Sequence, residues 1–211
     1  MLSEWSVECG VDDPVLVVPW TDPDDPSRHF IDLRENPYDL DWLEEAAQHP
    51  PLLHALRALN ANRSPVFTAK CDVWRLAPDE LEPLRHELDL IPEDAPVGIA
   101  SYIDLLWRER SVFVSFHQHE QLLHRITRLA TPLEHPYAAL ECTLRPALID
   151  LAGPQEGFTV SLYLKALGHD EQAAEEHWGA ALADVSALLR GRAFGAGSPG
   201  YLTGQNRSNS L

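Results

Sequence analysis

Between Val66 and Leu167 the chain returns repeatedly to a spacing of two, in which apolar side chains alternate with polar or aromatic ones. That spacing puts successive side chains on opposite sides of a strand, so it demands a sheet with one buried face and one of different character. Val66–Trp74 sets Phe67, Ala69, Cys71 and Val73 against Thr68, Lys70, Asp72 and Trp74. Val97–Trp107 sets Val97, Ile99, Ser101, Ile103 and Leu105 against Tyr102, Asp104 and Leu106. Val112–Gln118 opposes Val112, Val114 and Phe116 to Phe113, Ser115 and His117. Tyr137–Ile149 opposes Ala138, Leu140, Cys142 and Leu144 to Tyr137, Glu141, Thr143 and Arg145. Phe158–Leu167 opposes Phe158, Val160, Leu162 and Leu164 to Thr159, Ser161, Tyr163 and Lys165.

Helical spacing separates these runs. Leu81, Leu84 and Leu88 mark a helix over 78–89, Leu122, Ile126 and Leu129 one over 119–130, and Trp178, Leu182, Val185 and Leu189 one over 170–190. The order β-α-β-β-α-β with an added β-α predicts an α+β domain: an antiparallel sheet of ferredoxin-like topology, helices on one face, strands ordered 2-3-1-4-5. Pro146 argues against a fully central fourth strand, or marks where its pairing ends. The reading divides the chain into an irregular N-terminal extension (1–63), the α+β domain (64–194) and a Gly/Ser/Asn-rich flexible tail (195–211). In the extension, Pro14–Trp20 reads as an edge strand and 37–48 and 51–60 as short helices, the whole packing on the domain as a cover.

Charge narrows the partners. Acidic residues outnumber basic ones 33 to 16, a formal net charge of −17, which repels phosphate backbones and anionic membrane surfaces. No apolar run approaches the roughly 20 residues that cross a bilayer. The three cysteines, Cys9, Cys71 and Cys142, are odd in number and far apart, as suits reduced thiols in the cytoplasm. The first ten residues carry acids and a Trp where a secretory signal has a basic start and an apolar run.

Any chemistry falls to the polar face. Lys70 and Asp72 are expected on a central strand between His117 and the pair Glu141 and Arg145, with Tyr102, Asp104, Tyr163 and Lys165 as flanking ligand contacts. Under cover, Lys70 and His117 would act as acid or base and Arg145 would hold an anionic group. That reading of a small-molecule enzyme requires Lys70 and His117 on one face. His117, His119 and Glu120 are also the candidate ligands of a divalent metal, since histidines two apart on a strand point the same way. His119-Glu120-x-x-x-His124 is one residue too long for the zinc-protease helix, placing its histidines about 140° apart. The Gly195–Gly200 glycine pattern opens no helix and contains a proline, so it cannot cradle a dinucleotide. The competing and preferred expectation is a binding and assembly module, its polar face covered by the N-terminal segment or by the partner in a homodimer. Trp74, Tyr102, Phe113, Tyr137 and Tyr163 among the polar residues favour such cover.

Overall fold

A computed structural model describes residues 1–191 and Phe194; the 195–211 tail and its glycine pattern lie outside the described residues. The protein is α+β, with a six-stranded sheet and six α-helices among the described residues. The strands are β1 (Leu2–Val7), β2 (Leu16–Val18), β3 (Val66–Arg75), β4 (Val97–Trp107), β5 (Ala138–Asp150) and β6 (Pro154–Gly168). The helices are α1 (Glu44–Gln48), α2 (Pro50–Asn60), α3 (Pro78–Glu87), α4 (Arg110–Phe113), α5 (Phe116–Ala130) and α6 (Glu171–Leu189), with a 3-10 turn at Pro37–Trp42.

The sheet is mixed rather than purely antiparallel, and its order, β1-β5-β6-β4-β3, differs from the one expected. β3, β4, β6 and β5 run antiparallel, whereas β1 and β2 lie end to end along the outer side of β5 and parallel to it. β1 pairs as far as Leu144 and β2 begins at Ala147. Pro146, which has no N–H to give, falls in the gap between them. The N-terminal stretch therefore extends the sheet as well as covering it.

One expected strand is helical. Residues 112–118 fold as α4 and the start of α5. Over so short a run Val112, Phe116, His119 and Leu123 satisfy the helical spacing as well as Val112, Val114 and Phe116 satisfy the strand spacing. Capping decides between them. Ser115 stands at the N-cap, its hydroxyl accepting the Gln118 N–H at 3.3 Å, and Ser-x-x-Gln is a helix-start pattern. Losing that strand removes the ferredoxin-like β-β connection, so β5 and β6 close on β4 instead.

The main core lies between one face of the sheet and α2, α5 and α6. Ile103, Leu105, Leu140, Cys142, Leu144, Val160 and Leu162 from the strands meet Leu56, Leu59, Leu123, Ile126, Trp178 and Leu182 from the helices. Trp178 is fully buried, and its indole N–H donates to Ser101 Oγ at 2.9 Å. The second face is not free of helices, contrary to expectation. At one end α3 seats Leu81 and Leu84 on Ala100, Ala139 and Leu167. At the other, Phe113 of α4 and Val18 pack on Phe67, Leu106 and Ala147. Gly157 admits that second wall, since a Cβ there would stand 2.5 Å from the Phe113 carbonyl oxygen.

Candidate functional site

Between the two walls runs a strip of polar and aromatic side chains, here called the ribbon face. Its rows follow from the register. One row reads Asp72, Tyr102, Tyr163, Glu141 and Glu4 across β3, β4, β6, β5 and β1. The next reads Lys70, Asp104, Ser161, Thr143 and Ser6. Eight predicted residues (Lys70, Asp72, Tyr102, Asp104, Glu141, Arg145, Tyr163 and Lys165) thus share one face, as their alternation requires.

Their neighbours differ from the expected ones. Because β4 and β6 separate β3 from β5, Lys70 and Asp72 stand three strand spacings, about 14 Å, from Glu141 and Arg145. Asp104, Ser161, Tyr102 and Tyr163 fill the interval. The first half of β3 also changes sides. A bulge between Thr68 and Lys70 leaves Ala69 unpaired, so Thr68 turns to the helices and Phe67 to the ribbon face. Thr68 Oγ1 accepts from Asn60 Nδ2 at 2.8 Å, and Phe67 receives the Arg34 guanidinium 4.1 Å from its ring centroid.

His117 goes elsewhere. It sits on α5, in the helix layer on the other side of the sheet, with an exposed side chain, its Nδ1 3.6 Å from Glu120. His119 points the opposite way, into an aromatic nest of Trp107 and Phe158, its Nδ1 2.9 Å from the Ser115 carbonyl. On a helix, residues two apart diverge by about 200°, so His117 and His119 do not converge as they would on a strand. Burial pushes the His119 pKa down, against the opposing effect of its backbone hydrogen bond. Among the described residues no three His, Cys, Asp or Glu side chains gather as a metal ion would require.

The ribbon face pairs its own charges. Arg145 donates to Glu8 Oε2 at 2.7 Å through Nε and to the Tyr163 hydroxyl at 2.7 Å through Nη1. Burial works against the Arg145 charge, and the hydrogen bonds with Glu8 and Tyr163 outweigh it, so the guanidinium is held more firmly protonated. Ser161 Oγ donates to Asp104 at 2.5 Å. Asp104 is only 7% exposed; burial raises its pKa against the pull of Ser161, Arg145 and Lys70. The Tyr102 hydroxyl is likewise pushed up, by burial first and then by Asp104 and Asp72. Lys165 Nζ lies 3.6 Å from Glu141.

Aromatic rings bind the strip into one surface. Trp74 and Tyr102 lie 6.3 Å apart between centroids, Tyr102 and Tyr163 6.0 Å, and the Arg145 guanidinium carbon sits 5.5 Å from the Tyr163 centroid. The row crosses β3, β4, β6 and β5 without a break.

A cavity of about 650 Å³ opens beside this strip, at the outer edge of β3. Lys70, Cys71, Asp72 and Tyr102 face segment 20–48 across it. Trp20 belongs to this wall, its indole N–H bonded to the Ala69 carbonyl at 2.8 Å and Lys70 Nζ 5.2 Å from its ring. Burial, then Glu45, Asp72 and Asp104, pushes the Cys71 thiol up to about 12, which makes it an inert thiol rather than a nucleophile. Glu8 and Trp20 were not singled out from sequence, although the alternation of Glu4, Ser6 and Glu8 with Ser3, Trp5 and Val7 carried the signal for β1.

Comparison with protein-family models, curated proteins and solved structures gave no match. No helix among the described residues is long and apolar enough to cross a membrane.

Proposed function

We propose that the chain is a binding and assembly module of the cytoplasm, and that the ribbon face between its two walls docks against a second copy of the chain. The observation that carries this is the continuous row Trp74, Tyr102, Tyr163 and Arg145, partly exposed and spanning four strands. Trp, Tyr and Arg are the residues that concentrate binding energy at protein contacts. Charges of both signs line the strip, with Lys70, Arg145 and Lys165 among Asp72, Glu141, Glu8 and Glu4. A two-fold axis would set basic groups of one copy on acidic groups of the other. The N-terminal segment covers the Phe67 end and reaches Lys70 through Trp20 and Arg145 through Glu8, while Trp74, Tyr102 and Tyr163 stay partly exposed to a partner.

A small-molecule enzyme built on Lys70, Asp72, His117, Glu141 and Arg145 needs Lys70 and His117 on one face, and that condition is not met. His117 is on the far layer, and the other charged groups are divided into two sets by β4 and β6. Arg145 and Glu141 are already engaged by Glu8, Tyr163 and Lys165.

Sedimentation equilibrium tests the proposal. The expected result is a monomer–dimer equilibrium at micromolar concentration, shifted to monomer by the double variant Trp74→Ala/Tyr163→Ala with its circular dichroism unchanged. A wild-type chain that stays monomeric well above micromolar concentration overturns it.

A further inference from the structure

The outer edge of β3 is finished in its first half and open in its second. The Val66 N–H lies 3.3 Å from Ser64 Oγ, and the Val66 carbonyl accepts from Arg108 Nε at 3.1 Å. The Thr68 N–H donates to Asn60 Oδ1 at 3.0 Å, and the Ala69 carbonyl accepts from Trp20. Beyond the bulge this side-chain cover stops. Leu76 N–H bonds Gly98 O, on the β4 side. By the alternation of an antiparallel ladder, Cys71, Val73 and Arg75 then turn their N–H and C=O groups outward. Among the described residues these groups find one partner, Asp72 Oδ1, which accepts from the Val73 N–H at 2.8 Å.

An open sheet edge is a template for another strand. Here it runs between two hollows. The 650 Å³ cavity ends at Cys71 and Asp72, and a second, of about 630 Å³, begins at Val73 and continues past Arg75 to Ile99 and the start of α6. Alternate side chains of an added strand would enter these hollows. Both are lined by acids in excess. The first carries Asp22, Asp25, Glu44, Glu45 and Asp72 against Arg28 and Lys70. The second carries Glu171 and Glu175 against Arg75. Self-pairing of two β3 edges would bring two acidic rims together, so charge selects against a second copy here.

We propose that the Cys71–Arg75 edge of β3 binds an extended, Lys- or Arg-bearing segment of a partner protein as an added strand. This site is the edge of the sheet, distinct from the ribbon-face contact, and the two stand or fall separately.

The test is titration of the full chain with an alternating Lys-Val decapeptide and with its Glu-Val counterpart, read by binding isotherm and by amide hydrogen exchange. The Lys-Val peptide binds, more weakly as salt rises, and slows exchange at Cys71, Val73 and Arg75; the Glu-Val peptide does not. Val73→Pro, which deletes an outward N–H that β4 does not use and that an added strand must take over from Asp72, weakens binding about tenfold or more. Glu44→Lys, at an exposed position, weakens it without touching the sheet, so the outcome does not depend on how Val73→Pro folds. Tyr163→Ala leaves peptide binding intact even if it abolishes self-association. Equal binding of both peptides, or protection mapped away from these amides, overturns the proposal. So does a dimer in which these amides are already protected without peptide.

Discussion

The two faces of the sheet each hold a tryptophan, and the contrast between them separates what folds this protein from what it offers to others. Trp178 of α6 is fully buried against the helix face, with its N–H satisfied by Ser101. Trp74 lies on the ribbon face, partly exposed, its ring leading through Tyr102 and Tyr163 to Arg145. The helix face is buried and largely apolar, so its side chains contribute mainly through burial. The ribbon face is walled by apolar contacts at both ends and polar between them, so its partly exposed aromatic side chains contribute less to the fold than the helix-face core.

That difference can be broken by substitution. Trp178→Ala should lower unfolding free energy by about 3–5 kcal/mol, the cost of a large core cavity, measured by urea denaturation. Trp74→Ala should cost far less in the same assay. Near-equal losses would make Trp74 a core residue and remove the contrast. Gly157→Ala, at the seam where α4 meets β6, should be clearly destabilising because backbone of Phe113 occupies the space. A neutral result would show that the α4 wall yields easily.

Two buried titratable groups sharpen the comparison by responding oppositely to pH. Burial lowers the His119 pKa, so the unfolded chain binds the proton more readily. Stability should fall as pH drops below the ordinary histidine value of about 6.5, and His119→Phe should remove that part of the loss. Asp104, raised by burial, is the reverse case: its contribution is complete below the ordinary carboxylate range and is lost as pH rises through its elevated value. Asp104→Asn should therefore stabilise the protein at neutral pH and lose that advantage in acid, as thermal unfolding at both pH values would show. A gain independent of pH would mean that Asp104 ionises without penalty. The smallest effect belongs to the half-buried pair Glu141 and Lys165, where Lys165→Ala should change stability by no more than about 1 kcal/mol.

The alternation that is legible in the sequence is a local property, and it placed Lys70, Asp72, Tyr102, Asp104, Glu141, Arg145, Tyr163 and Lys165 on one face whatever the strand order. Who neighbours whom is not local. It depended on residues 112–118, where strand and helix spacing coincide and the Ser115 cap decided the outcome. With that strand gone, His117 left the face and Lys70 moved away from Arg145. The bulge after Thr68 is not legible in the sequence, because one extra residue reverses the faces without altering composition. β1 was missed for a different reason: its core-side pattern of Ser3, Trp5 and Val7 is weak, and its place beside β5 is set by tertiary pairing.

Hydroxyl-radical footprinting across a concentration series tests the ribbon face most directly, with Tyr38, 81% exposed, as the internal reference. Burial against a second copy predicts that Trp74, Tyr102 and Tyr163 become progressively protected as concentration rises while Tyr38 does not. Unchanged labelling of all four across the series would contradict it.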